Sequence, residues 1–324
     1  MAPQPVSGKL AISVDLGGTQ LRAALVSADG TIQVKAAEPT RAGAGPPAVM
    51  AQIAGLTAVV CAGIDSSRIS GIGVSSPGPL DTVQGVALGI PTLLGFEAFP
   101  LRDALTDALG MPVILENDGI CAAVGEWRHG AARGHSNVVY VTISTGIGGG
   151  VIAGSHVLRG RRGMAGHVGH MCIVVDGAPC VCGSRGCFEA YASGTAFTAR
   201  ARAAAATHPG VLPQPVDAQS VFAAAASGNE LASDLVRQEA HYLGQGFSNL
   251  LHLYSPEILI MGGGLSNQFD QLHAGIVERM RSAAMPAFRD IPVARAALGG
   301  DSGIIGAATL VFEEELRAVH TSAP

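Results

Sequence analysis

Residues 165–170 read AGHVGH, and PCVCGSRGCFEA follows from Pro179 to Ala190. Three of the chain's six cysteines, Cys180, Cys182 and Cys187, crowd together just downstream of two histidines, His167 and His170. In a reducing compartment, where structural disulfides are disfavoured, such a cluster holds a metal ion or does redox work. The plain alternative is a set of unligated buried thiols. Cys61, Cys121 and Cys172 stand apart from the motif and read as small core hydrophobes.

A second group of residues is suited to anions. Asp15-Leu-Gly-Gly-Thr19, Ser144-Thr-Gly-Ile-Gly-Gly-Gly150 and Met261-Gly-Gly-Gly264 each follow an apolar run. At Gly17, Gly18, Gly146, Gly148, Gly262, Gly263 and Gly264 no side chain shields the backbone N–H groups, so they can close on a polyphosphate, and Thr19 and Thr145 add hydroxyl donors. Each turn alone is equally a hairpin, and none matches a P-loop or a Rossmann fingerprint. Asp15 reads either as a carboxylate for Mg²⁺ or as a turn-stabilising Asp. Glu116-Asn-Asp-Gly119 taken alone is a turn.

The elements that must position these residues follow an α/β pattern. Apolar runs at roughly Leu10–Val14, Leu21–Val26 and Thr31–Ala36 read as strands joined by Gly and Asp-Gly turns. A helix is expected around Ala48–Ala62, then a strand in ISGIGVSS, a helix in PLRDALTDALG and a strand in PVILEN. NVVYVTISTGIGGGVIAG repeats the opening two-strand pattern, so the chain reads as internally duplicated. An alanine-rich helix, a proline-rich loop, a long amphipathic helix (SDLVRQEAHYLGQGFSNLLHLY) and the strand EILIM follow. The acidic run Glu313–Glu315 reads as the wet face of a C-terminal helix.

With 324 residues, 48% hydrophobic and 14% charged, two domains are expected. A formal charge of -5 leaves no broad basic surface, so neither nucleic acid nor membrane is an expected partner. The apolar stretches are broken by Gly, Ser and Thr before they reach membrane-spanning length. The first residues, MAPQPVSGKLAISVDLGG, lack the pattern of a signal peptide, and a cytoplasmic location is expected.

Taken together, the three glycine turns, ENDG, AGHVGH and the Cys-x-Cys-Gly-x-x-Gly-Cys-x-Glu motif resemble the ROK family of bacterial sugar kinases and sugar-responsive repressors, from Asp15 to the LGGDSGIIGAA segment at Leu298–Ala308. The resemblance implies a two-domain α/β fold of the actin/hexokinase-like ATPase type with an interdomain cleft. Residues 1–117 plus 305–324 would form the small domain and 118–304 the large one. It implies ATP with Mg²⁺, held by Asp15, the two phosphate turns and the adenosine turn at Gly262–Gly264. Asp118 would be the catalytic base, and Asn117, Asp118, His167, His170 and Glu189 would meet the sugar. A structural Zn²⁺ would sit on His170, Cys180, Cys182 and Cys187, the closed Cys₃His set that zinc prefers. A homodimer is also implied. A ROK repressor would carry a winged helix-turn-helix first, for which the 14 residues before Asp15 leave no room.

The chain departs from the family's glucokinases in four places. His167 stands where AGExGH has glutamate, the form that N-acetylmannosamine kinases resemble. Ile120 replaces an asparagine, Pro91–Phe96 (PTLLGF) replaces PNLxGW, and Gln20 stands where the first turn often carries Lys. A neutral imidazole cannot accept two hydroxyl bonds as a carboxylate does. The expectation is therefore phosphorylation of the 6-hydroxyl of a hexose or N-acetylhexosamine, with N-acetylmannosamine favoured. The alternatives are a glucokinase, which the glucokinase-like loop SSPGPLD at Ser75–Asp81 supports, and a non-catalytic sugar-sensing ROK protein.

Overall fold

A computed structural model describes residues 8–321. The chain runs β1 (Leu10–Leu16), β2 (Gln20–Ser27), β3 (Ile32–Pro39), α1 (Pro46–Val60), β4 (Ile69–Ser76), β5 (Leu80–Asp81), β6 (Val86–Ala87), α2 (Leu101–Leu109), β7 (Val113–Asn117) and α3 (Asp118–His129). It continues with β8 (Val138–Ile143), β9 (Ile147–Ala153), β10 (His156–Val157), α4 (Glu189–Ala192), α5 (Gly194–Thr207), α6 (Ala218–Ala226) and α7 (Glu230–Tyr254). Last come β11 (Ile258–Gly262), α8 (Phe269–Ala283), β12 (Val293–Arg295) and α9 (Ser302–Thr321).

Contacts divide the chain into two units. One comprises the chain up to Gly134, Val157–Gly166 and everything from Asp301 onward; the other comprises His135–His156 and His167–Gly300. This division runs after Gly134 rather than at Asn117. The reason is α3, whose Gly125 and Gly306 of α9 let the two helices close to backbone contact, so α3 belongs with the first unit. Val157–Gly166 joins it because Thr82 N–H donates to Arg162 O at 3.0 Å and Arg162 pairs with the buried Asp81 at 2.6 Å. The opening of the expected signal-free leader, residues 1–7, lies outside the described residues, as do the last three residues assigned to the small domain.

The first unit is built on the sheet β3-β2-β1-β4-β7, with β1 antiparallel to β2 and parallel to β4. β1 is buried throughout because its alternate residues face two different layers. Leu10, Ile12, Val14 and Leu16 join Ile53, Leu56 and Leu105 of α1 and α2. On the other face Ala11 meets Ile304, Ala308 and Val311 of α9, and the Ser13 hydroxyl donates to Ile304 O at 2.6 Å. Small residues on that face let α9 lie close. A Cβ at Gly73 of β4 would clash with Ala307 O of α9, and, where α9 meets α3 instead, a Cβ at Gly306 would clash with Cys121 O. Gly306→Ala should therefore cost about 1–3 kcal/mol by overpacking. Thermal melts would show it, with Gly55→Ala, exposed in α1 with open space around it, as the neutral or stabilising control.

The second unit repeats the plan. Its sheet is β10-β9-β8-β11-β12, with β8 antiparallel to β9 and parallel to β11, and β11 parallel to β12. The repeated two-strand pattern in the sequence is thus a repeated sheet topology. The long amphipathic segment is α7, capped by Asn229, whose side chain accepts from Ala232 N–H at 2.9 Å. At the C-terminus, Glu314 and Glu315 are exposed and Glu313 pairs with Arg128 at 2.6 Å.

Candidate active site and metal centre

In the first unit the strand register assembles the carboxylates. Asp15 of β1 stands opposite Ser75 of β4, and Ser75 stands opposite Glu116 of β7, so the three form one row at the C-terminal ends of parallel strands. That is where open α/β sheets bind ligands. Asp15 is buried; its Oδ1 accepts from Ser75 Oγ at 2.8 Å and its Oδ2 pairs with Arg22, its cross-strand partner on β2. Gly17, Gly18 and Thr19 form the turn that follows. Gly17 N–H donates to Gln20 O at 3.0 Å, and Thr92 of the PTLLGF segment presses against Gly18. Thr92 also lines an open surface depression with Ala42, Ile90, Leu93 and Glu97.

Asp118 follows β7 as the first residue of α3. Asn117 caps that helix, its Oδ1 accepting from Gly119 N–H at 3.0 Å, and Asp118 Oδ1 accepts from the same N–H at 2.8 Å. Asn117 thus has a structural duty as well as its expected sugar contact. Asp118 keeps part of its surface open, yet the protein around it raises its pKa to about 6, with the nearby Asp15 charge pushing the same way. Glu116 is buried and its pKa is also raised by that burial, offset by Arg159 at 2.8 Å.

In the second unit, Ser144, Thr145 and Gly146 make the turn between β8 and β9, and Gly148 lies beyond it inside β9, paired with Thr142. Gly148 is therefore a strand residue. Gly262 stands opposite Thr142 across β11 and β8, and Gly263, at φ +79°, packs on the backbone of Ile143. The second and third glycine turns are thus neighbours at the C-terminal ends of two adjacent parallel strands, β8 and β11. Glu189 reaches this turn, its Oε2 accepting from Ile147 N–H at 2.7 Å.

The cysteines and His170 converge. A ring nitrogen of His170 and the thiol sulfurs of Cys180, Cys182 and Cys187 all lie within 4.8 Å of one another. Cys182 and Cys187 are 3.6 Å apart and Cys180 lies 3.7 Å from His170 Nδ1. Zinc–sulfur bonds of about 2.3 Å at tetrahedral angles place sulfurs about 3.8 Å apart, so the donor set fits a four-coordinate zinc. The same spacing is far too long for a disulfide. Burial, with Cys182 and Cys180 adding to it, pushes the Cys187 thiol up to about 12. A bound cation would have to draw that proton off. Cys172 is exposed and outside the set. The His167 ring is exposed, 6.3 Å from that of His170; desolvation by the protein behind it, then the charge of His170, lower its pKa.

A sequence model of the ROK family matches residues 11–314. The chain belongs to the ROK family. The glucokinase of Thermotoga maritima is 34% identical to it over 93% of this chain and 97% of its own length. The N-acetylmannosamine kinase of Shigella boydii is 33% identical over 94% and 99%. A solved ROK family glucokinase from Streptomyces griseus, in complex with glucose and AMPPNP, superposes with a TM-score of 0.83 at 32% identity, covering 94% of this chain and 99% of that one. The ROK fold here is that of the actin/hexokinase-like ATPases.

Three site residues have no counterpart in the sequence reading. Arg22 supplies a cation on the same face of β2 as Gln20, two residues away, and directs it at Asp15. Ser75 and Arg159 orient Asp15 and Glu116. Only the i, i+2 relation of Gln20 and Arg22 carried any local signal.

Proposed function

We propose that this ROK protein is an ATP-dependent sugar kinase acting on the 6-hydroxyl of a hexose or N-acetylhexosamine, with N-acetylmannosamine preferred. The observation that carries the reading is Asp118, a partly open carboxylate held by Asn117 at the start of α3, with a pKa near 6. At pH 7 such a group is about nine-tenths ionised and so able to accept a proton. Asp118 takes the proton of the 6-hydroxyl as that oxygen attacks the γ-phosphoryl group of ATP, and ADP leaves. Asp15 would hold Mg²⁺, which offsets phosphate charge when bound, and the turns at Gly18–Thr19 and Thr145–Gly146 offer backbone N–H groups to the phosphates, the Gly17 N–H being held by Gln20 O. Zinc on His170, Cys180, Cys182 and Cys187 would fix the segment between His167 and Glu189.

Because Asp118 must be ionised to act, kcat/KM should fall as pH drops through about 6. A profile flat from pH 5 to 8 would remove Asp118 from that role.

His167 supports the N-acetylated substrate. A neutral ring accepts one bond and packs against an acyl group, whereas a carboxylate rewards two free hydroxyls. Coupled assays across glucose, mannose, N-acetylmannosamine, N-acetylglucosamine and allose test this. His167→Glu should shift the kcat/KM ratio toward glucose by about 10-fold or more. A wild type that already prefers glucose makes the protein a glucokinase, the reading the SSPGPLD loop supports. Sugar binding without phosphoryl transfer would make it a sensor. The proposal includes a cytoplasmic homodimer, to be checked by light scattering. Among the described residues no helix is long and apolar enough to cross a membrane.

A further inference from the structure

The segment that follows the cysteine cluster grips the β8–β9 turn at both ends: Gly194 N–H donates to Ser144 O at 2.7 Å, and Glu189 Oε2 accepts from Ile147 N–H at 2.7 Å. Between those anchors lie Thr145 and Gly146, the pair expected to meet phosphate. A Cβ on Gly146 would clash with Glu189 Oε2 and force the carboxylate to move. One carboxylate therefore sits against the nucleotide turn with its Oε2, which leaves Oε1 as the oxygen that the sugar contact proposed above would use.

We infer that Glu189 is a positioning residue for the nucleotide turn, and that it couples sugar occupancy to the affinity for ATP. This rests on the kinase reading above. A sugar hydroxyl bonded to Oε1 restrains the carboxylate, which restrains Ile147 N–H, which fixes Thr145 and Gly146. Coupling of this kind is reciprocal, so each ligand must tighten the other by the same factor.

The test is equilibrium binding of the non-hydrolysable analogue AMPPNP with Mg²⁺, in the absence of sugar. Glu189→Ala loses both contacts and should weaken the analogue about 10-fold, in the range of one lost hydrogen bond to a charged group. Glu189→Gln keeps an acceptor for Ile147 N–H, so it should bind the analogue as wild type does while losing affinity for the sugar. A residue that served the sugar alone would leave AMPPNP unchanged in both variants, and that result overturns the inference. Equal losses in Ala and Gln would also overturn it. Zinc content, measured alongside, reports whether the cluster survives. If Glu189→Ala does not fold, Gly146→Ala makes the test from the other side: it displaces the carboxylate and should weaken N-acetylmannosamine and glucose binding without nucleotide present. Unchanged sugar affinity in Gly146→Ala refutes the coupling. Wild-type protein that transfers phosphate to no hexose fails the kinase reading; an active wild type with unaltered AMPPNP binding in Glu189→Ala fails this inference alone.

Discussion

Asp118→Asn should lower kcat by about 10²-fold or more while leaving sugar affinity within a few-fold of wild type. The amide keeps the shape of the carboxyl and cannot take the hydroxyl's proton. A second effect runs the other way. The folded pKa of about 6 lies above the ordinary carboxylate value, so Asp118 favours the fold below about pH 4, and that contribution is lost as pH rises through 6. Replacing it with a neutral amide should therefore stabilise the protein at pH 7–8. The linkage relation sets a ceiling of roughly 3 kcal/mol; allowing for partial exposure leaves something on the order of 1 kcal/mol. Melting curves would show a rise of about 2–4 °C at pH 7.5 that vanishes near pH 4. A variant with wild-type turnover contradicts the assignment of Asp118 as the base.

Removing zinc should be nearly as damaging. Elemental analysis is expected to find one zinc per chain, and Cys182→Ser or a strong chelator to release it. The segment from His170 to Cys187 contains no α-helix and no strand beyond isolated bridges, so the ion would stand in for a core. Activity should then fall by about 10–100-fold or more, the range seen when a metal's supporting contacts are lost. The loss acts through His167 and Glu189, which flank the cluster. Cys172→Ser, outside the four-ligand set, should keep both zinc and activity. Zinc-free protein with full activity would refute the structural role.

What the sequence made legible was local. The strands expected at Leu10–Val14 and Leu21–Val26 announce themselves by apolar runs and a glycine turn, and fall within β1 and β2; Cys180, Cys182 and Cys187 announce themselves by spacing. The duplication was visible because each half opens with the same two-strand pattern. Less legible were pairs that only topology brings together: Glu116 with Arg159, Asp81 with Arg162, and α3 with α9. No periodicity links residues more than forty positions apart, and burial of a carboxylate such as Asp81 becomes visible only once the sheet is built. Gly148 shows the opposite error. A run of glycines looks like one loop, yet the β8–β9 register takes Gly148 into the strand.

The most direct measurement is ADP release by wild type and Asp118→Asn, with Mg²⁺-ATP, with and without N-acetylmannosamine, glucose or the other hexoses. The account predicts ADP release that depends on sugar, matched one for one by sugar 6-phosphate, and nearly abolished in Asp118→Asn. ADP release that no sugar stimulates, or that Asp118→Asn leaves intact, would contradict it.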